Sequence, residues 1–214
     1  MLPPDQIERL VDKVVERLQR GQVPEPQRAP AYLRGSAPGI FDDLDQAVAA
    51  AGRAFEIWKE TRVETRGKCI AAIRKICLDR VQEISEKAVA ETGLGRVAHK
   101  VMKNTVAIEK TPGLEILDTV AFTGDDGLTL HERAPFGTLL SITPSTNPTE
   151  TIINNAISMI AGGNSVVFNV HPGAKVISRT VIGWINEAII ANGGPSDLVA
   201  CIAEPTIESA QALM

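Results

Sequence analysis

The sequence predicts an α/β fold: a parallel sheet with flanking helices, preceded by a helical segment and a detached N-terminal amphipathic helix. Two observations carry the prediction. From Gly137 onward, apolar runs alternate with helical stretches: TLLSI, NPTETIINNAISMIAGG, SVVFNV, GAKVISRTVIGWINEAIIANGG, LVACIA and TIESAQALM. That β-α-β-α-β-α order implies parallel strands joined by helical crossovers. The strand runs are also continuously apolar, as expected where helices cover both faces of a sheet.

Taken in order, the first element is PPDQIERLVDKVVERLQRG. Ile7, Leu10, Val11, Val14, Val15 and Leu18 fall on one helical stripe, with Asp5 as N-cap and Gly21 as stop. Residues 21–39 contain four prolines after Gly21, have no period and read as a linker. A tethered helix of this length is marginal alone. It either packs back on its own domain or serves as a recognition helix for another protein. A membrane-surface role fits less well, because its polar face is mixed in sign and its apolar face lacks aromatics.

The globular part begins near Ile40 and runs to residue 214. In FDDLDQAVAAAGRAFEIWKE, aspartates precede an expected apolar face of Leu44, Val48, Ala51, Phe55 and Trp58. One long helical region is expected from about Arg66 to Glu91, with GLG at 93–95 ending it and a further helix over about 96–109. GDDG at 124–127 reads as a turn, and the following TLHERAPFG alternates only weakly.

The chain has 214 residues, 44% apolar and 22% charged, with a net charge of −4 and no basic block. That balance argues against nucleic acid as main partner. The longest apolar runs are too short and too polar to span a bilayer, and no secretory apolar run opens the chain. Three cysteines provide no disulfide framework and fit a reducing cytosol. Three scattered histidines, without CxxC or HExxH, give no metal-site pattern.

In open parallel sheets, ligands bind beyond the carboxyl ends of the strands. ITPSTNP and NVHP, which follow adjacent strands, therefore belong side by side at the ligand edge. Neither GxGxxG nor GxxxxGK[ST] occurs, so the usual glycine-rich phosphate cradles are absent. Asn147 has two readings. With Pro148 at the first helical position it fits an N-cap, and its amide is also of the type that donates to a developing oxyanion. His171, in HPG, reads first as a turn residue.

ITPSTNP, INNAISMIAGGNSVVFNVHPGAK and ANGGPSDLV, with AVAETGLGR and HERAPFG upstream, resemble the N-terminal half of CoA-acylating aldehyde dehydrogenases of bacterial microcompartments, of the propionaldehyde and acetaldehyde types. The resemblance covers nearly the whole chain. It implies a Rossmann-like domain that binds NAD without GxGxxG, and coenzyme A as cosubstrate in an overlapping cleft. A cysteine nucleophile would form a thiohemiacetal with a short-chain aldehyde, hydride would pass to NAD, and CoA would take the acyl group. Ile142, Thr143, Pro144 and Ser145 would line the dinucleotide. Asn169, His171 and Pro172 would border the adenosine end, although Asn169 stands where many relatives carry a ribose-binding lysine. The helix from about Thr206 would close the other side of the adenine. Asn147 would be catalytic, as an oxyanion donor, with Thr146 the rival position in the turn.

Two further implications follow. Family members continue beyond Met214 through a catalytic domain that holds the nucleophile, so this chain alone is expected to be inactive. Cys69, Cys77 and Cys201 sit in apolar contexts that suit buried thiols rather than replacements. Residues 5–18 would be an encapsulation-type helix that docks to microcompartment shell or core enzymes, within a compartment of the bacterial cytoplasm. HERAPFG resembles the family's oligomerisation strand, which implies a homo-oligomeric parent.

Overall fold

The computed structural model describes residues 37–214. The expected helix at 5–18 and nearly all of the linker at 21–39 lie outside the described residues. Four strands make one parallel sheet: β1 (Ile40–Phe41), β4 (Thr138–Ile142), β5 (Ser165–Asn169) and β6 (Val199–Ile202), in the spatial order β1-β6-β5-β4. Helix α5 (Pro148–Ala161) connects β4 to β5, and α6 (Lys175–Ala191) connects β5 to β6. Helix α7 (Ile207–Leu213) follows β6. The predicted alternation is thus present, and β1 adds a strand that no periodic signal marked.

Both faces of the sheet are covered. Val166, Phe168, Val199 and Cys201 join the core made with α5 and α6. Val167, Ala200 and Ile202 alternate to the other side, against Ala47 and Ala51 of α1 (Leu44–Lys59). All five residues of β5 are buried, which is why its sequence is apolar without a period of two.

Helix α1 starts where Asp43 Oδ1 accepts from Gln46 N at 2.9 Å. Its buried face differs from the expected one: Ala47, Ala50, Ala51, Ala54 and Trp58 are buried, whereas Val48 is exposed. Alanines let the helix approach the sheet closely, and that close fit outweighs the larger side chain of Val48. Trp58 Nε1 donates to Ile160 O at 2.9 Å, joining α1 to the end of α5.

The expected long helix is two helices, α2 (Val63–Asp79) and α3 (Val81–Thr92), which part at Arg80. The Arg80 guanidinium lies 4.4 Å from the Trp184 ring centroid on α6, so a cation–π contact holds the corner. Gly93 ends α3 in the left-handed region at φ 67°, as GLG suggested. Helix α4 (Val97–Lys110) and a short 3-10 turn (Leu114–Leu117) follow.

The GDDG turn closes an antiparallel hairpin, β2 (Val120–Gly124) with β3 (Gly127–His131), separate from the main sheet. Every residue of both strands is exposed, including Phe122, Leu128 and Leu130. Only the first three residues of TLHERAPFG are strand. Among the described residues, no helix is long and apolar enough to cross a membrane.

Candidate functional site

Strands β4 and β5 end level. Ile142 and Asn169 are register partners, and Thr143 N donates to Asn169 O at 3.1 Å, one residue beyond the strand. The turns 143–147 and 170–173 therefore leave the same edge, as chain order required. Thr143 is buried and its Oγ1 has no hydrogen-bond partner, whereas Ile142 and Pro144 are exposed and Ser145 is half-buried. A buried hydroxyl without a partner is costly and suits a ligand that brings one. At this edge the exposed side chains of Ile142 and Pro144 lie next to a buried hydroxyl without a partner.

Asn169 is buried and tied to the next element. Its Oδ1 accepts from Ser209 Oγ at 2.7 Å, while its Nδ2 lies 3.5 Å from Thr206 O, at the weak limit of a hydrogen bond. Thr206 and Ser209 form a reciprocal capping box that starts α7. His171 and Pro172 are exposed, and His171 Nδ1 accepts from Gly173 N at 3.0 Å, which confirms the turn reading. The usual phosphate seat at a helix N-terminus is taken here. Glu91 on α3 accepts from Val176 N at 2.8 Å and Ile177 N at 2.7 Å, at the start of α6.

Beyond the turn lies a cleft of about 550 Å³ between α4 and α5. The α4 wall is formed by Met102, Val106 and Ala107 with Lys103. The other is polar, with Asn147, Glu150, Asn154 and Asn155 among its residues. Two of its residues belong to a relay of hydrogen bonds that links the end of α4 to β4: Thr111 Oγ1 to Asn154 Oδ1 at 2.8 Å, Asn154 Nδ2 to Asn155 Oδ1 at 2.9 Å, and Asn155 Nδ2 to Ser141 Oγ at 2.9 Å.

Asn147 occupies the N-cap position of α5, but its side chain does not cap. Its carbonyl accepts from Thr151 N and Thr151 Oγ1, while its Oδ1 accepts from Lys103 Nζ. The capping reading thus holds for position and backbone and fails for the side chain, because a lysine on α4 competes for the oxygen. Lys100, one turn before Lys103, is buried. It donates to Thr146 O at 2.5 Å and lies 3.4 Å from Glu150 Oε1.

These lysines were missed because lysine on a helix usually marks a solvated face. A signal was available. The buried stripe of α4 is Lys100, Asn104 and Ile108, while Met102 and Val106 face outward. Such inverted amphipathicity marks a helix whose polar side has buried work and whose apolar side lines a cleft or an interface.

None of the three thiols sits at this site. Cys69, Cys77 and Cys201 are all buried and free. Burial pushes the Cys77 and Cys201 thiols up to about 12, and Cys69 upward as well, which keeps them protonated.

Residues 37–214 match the aldehyde dehydrogenase family model, and the chain belongs to that family. More narrowly, it is similar to CoA-acylating members. It is 47% identical over 213 residues to an acetaldehyde dehydrogenase (acetylating) of Bilophila wadsworthia, covering 97% of this chain and 43% of that protein. It is 40% identical over 204 residues to a propanal dehydrogenase (CoA-propanoylating) of Salmonella typhimurium, covering 95% of this chain and 44% of that protein. A Rhodopseudomonas palustris propionaldehyde dehydrogenase, solved with bound CoA and an acylated cysteine, superposes with a TM-score of 0.79 at 45% identity. That match covers 82% of this chain and 40% of the other. A propionaldehyde dehydrogenase from a Clostridium phytofermentans fucose-utilisation microcompartment gives 0.78 at 46%, covering 81% and 40%. The chain therefore spans about two fifths of the length of these relatives.

Proposed function

We propose that residues 40–214 are the cofactor-binding part of an NAD-dependent, CoA-acylating aldehyde dehydrogenase of a bacterial microcompartment. The reaction is aldehyde plus CoA plus NAD+ to acyl-CoA plus NADH and a proton, with a short-chain aldehyde as substrate. The single observation that supports the reading best is the level edge of β4 and β5, where buried Thr143 Oγ1 has no partner beside exposed Ile142.

In this reading, Ile142, Thr143, Pro144 and Ser145 line the dinucleotide. Asn169, His171 and Pro172 border its adenosine end, and α7, held by Asn169, closes the adenine side. Asn169 supplies no ammonium for the ribose, and its amide is engaged by Ser209. CoA uses an overlapping cleft, since both ligands carry an adenine nucleotide. When bound, NAD supplies the hydride acceptor. The side-chain amide of Asn147 is the donor for the oxyanion that develops at the aldehyde oxygen. The chain alone does not turn over, because its thiols are buried and protonated.

The test pairs two measurements on the 214-residue chain: NAD+ binding by calorimetry, and NADH formation from propionaldehyde plus CoA. Binding without turnover is expected. Absence of binding sinks the cofactor-site reading, and turnover sinks the claim that the nucleophile lies elsewhere.

A second role rests on the apolar stripe of residues 5–18 and the proline-rich stretch behind it. We propose that residues 1–20 are an encapsulation-type helix joined by the 21–39 linker, and that they dock to shell or core proteins of the compartment. Deleting residues 1–20 should abolish co-purification with shells and leave the α/β part folded. Unchanged shell association would refute this role. HERAPFG, the stretch for which the resemblance implies an oligomerisation strand, is strand at His131 alone, and the exposed β2–β3 hairpin that it ends suits pairing in a homo-oligomeric parent.

A further inference from the structure

Lysine on α4 meets the turn before α5 twice. Lys100 and Lys103 are three residues apart, so they project from neighbouring positions on one face. Lys100 is 3% exposed, and an ammonium so buried is costly unless it is paired. Its partners are Thr146 O at 2.5 Å and Glu150 Oε1 at 3.4 Å; Lys103 Nζ is 3.9 Å from the same Glu150 oxygen. Glu150 is itself 8% exposed, and its Oε1 takes part in these ion pairs without forming a hydrogen bond. Its Oε2 accepts from Thr149 Oγ1 at 3.1 Å. A buried ion pair is weak evidence for stability, since apolar residues of similar size often serve as well. What the pair does uniquely is fix geometry. Holding the Thr146 carbonyl sets the peptide plane between Thr146 and Asn147, so that the Asn147 N–H points away from α4.

Lys103 sets the second half. An ammonium only donates, so the side-chain atom of Asn147 that faces it must be the oxygen. The Nδ2 donors are then turned from the Lys103 ammonium, and Asn147 itself lines the cleft. We propose that Lys100 and Lys103, with Glu150 as counter-ion, are positioning residues: they orient the turn and present the Asn147 amide as a hydrogen-bond donor to a carbonyl oxygen in the α4–α5 cleft. The proposal deepens the oxyanion role given to Asn147 and rests on it, but the orientation itself is measurable without turnover.

The test is 15N-resolved NMR of the 214-residue chain, with calorimetric NAD+ binding on the same samples. Lys103→Met should shift the Asn147 side-chain NH2 pair and replace its single orientation by averaging, with the rest of α5 and the NAD+ affinity unchanged within about twofold. Lys103→Arg should restore the wild-type signals, because it keeps a charged donor. Lys100→Met should shift the Thr146 and Asn147 backbone amides. Should that variant fail to fold, the two Lys103 variants decide alone. Asn147 side-chain signals in Lys103→Met that superpose on wild type would overturn the proposal. Changes spread evenly through α5 would also overturn it, since they mark a merely structural role. Failure to bind NAD+ in every sample, wild type included, would strike the cofactor reading and leave the Asn147 result standing.

Discussion

Asn169 Oδ1, at the carboxyl end of β5, accepts a hydrogen bond from Ser209 Oγ of α7 at 2.7 Å. A strand end and a helix forty residues later are joined by one buried amide. Helix α7 is short and has no fully buried residue, so this tie and the packing of half-buried Leu213 against the core beside Val167 and Ala200 anchor it. Asn169→Ala should cost about 1 kcal/mol in overall stability. The local effect should be larger. Hydrogen-exchange protection over 207–213 should fall while the amides of β5 and β6 keep theirs, and NAD+ affinity should drop with the loosened helix. Unchanged protection in α7 would show that Asn169 is not its anchor.

The thiols make a second prediction, on pH. Cys77 and Cys201 are held near 12 in the folded chain by burial, against an ordinary value of 9.0. A thiol raised in the folded state contributes its stability fully below the unfolded value and loses it as pH rises toward the folded one. Stability should therefore begin to fall above about pH 9, by on the order of 1 kcal/mol per thiol per pH unit. Denaturant titrations between pH 8 and pH 10.5 check this, with a Cys77→Ala, Cys201→Ala double variant expected to show a shallower decline. At pH 8, iodoacetamide should label the native chain slowly and the unfolded chain fast.

Trp58 carries the third prediction. It is fully buried, and its indole N–H satisfies the Ile160 carbonyl. Trp58→Phe keeps most of the apolar volume and removes one hydrogen bond from a carbonyl that still accepts from Gly163 N at 3.0 Å, so the expected cost is about 0.5–1.5 kcal/mol. Thermal unfolding should show it as a fall in Tm of roughly 2–4 °C per kcal/mol for a chain of this size. A loss below that range would mean that water replaces the indole.

These consequences were unevenly legible in the sequence. Strands β4, β5 and β6 could be read because burial on both faces leaves continuous apolar runs. Strand β1 could not, since two residues carry no period. The break at Arg80 lacks glycine or proline, because a stacked guanidinium on Trp184 makes the corner. The hairpin's turn was visible in GDDG, but strands exposed on both faces show no alternation. At the site, chain order alone put residues 142–145 and 169–172 on one edge. The pairings of Lys100 with Thr146 and of Lys103 with Asn147 span more than forty residues, and no local pattern encodes them. They redirected the Asn147 side chain from capping to the cleft.

The most direct test of the account is calorimetric titration of the 214-residue chain with NAD+, repeated in the presence of saturating CoA. The account predicts one site per chain, with affinity lost in a Thr143→Val variant that removes the unpartnered hydroxyl, and competition between NAD+ and CoA. A well-folded chain that binds neither ligand would contradict it, and so would simultaneous, independent binding of both.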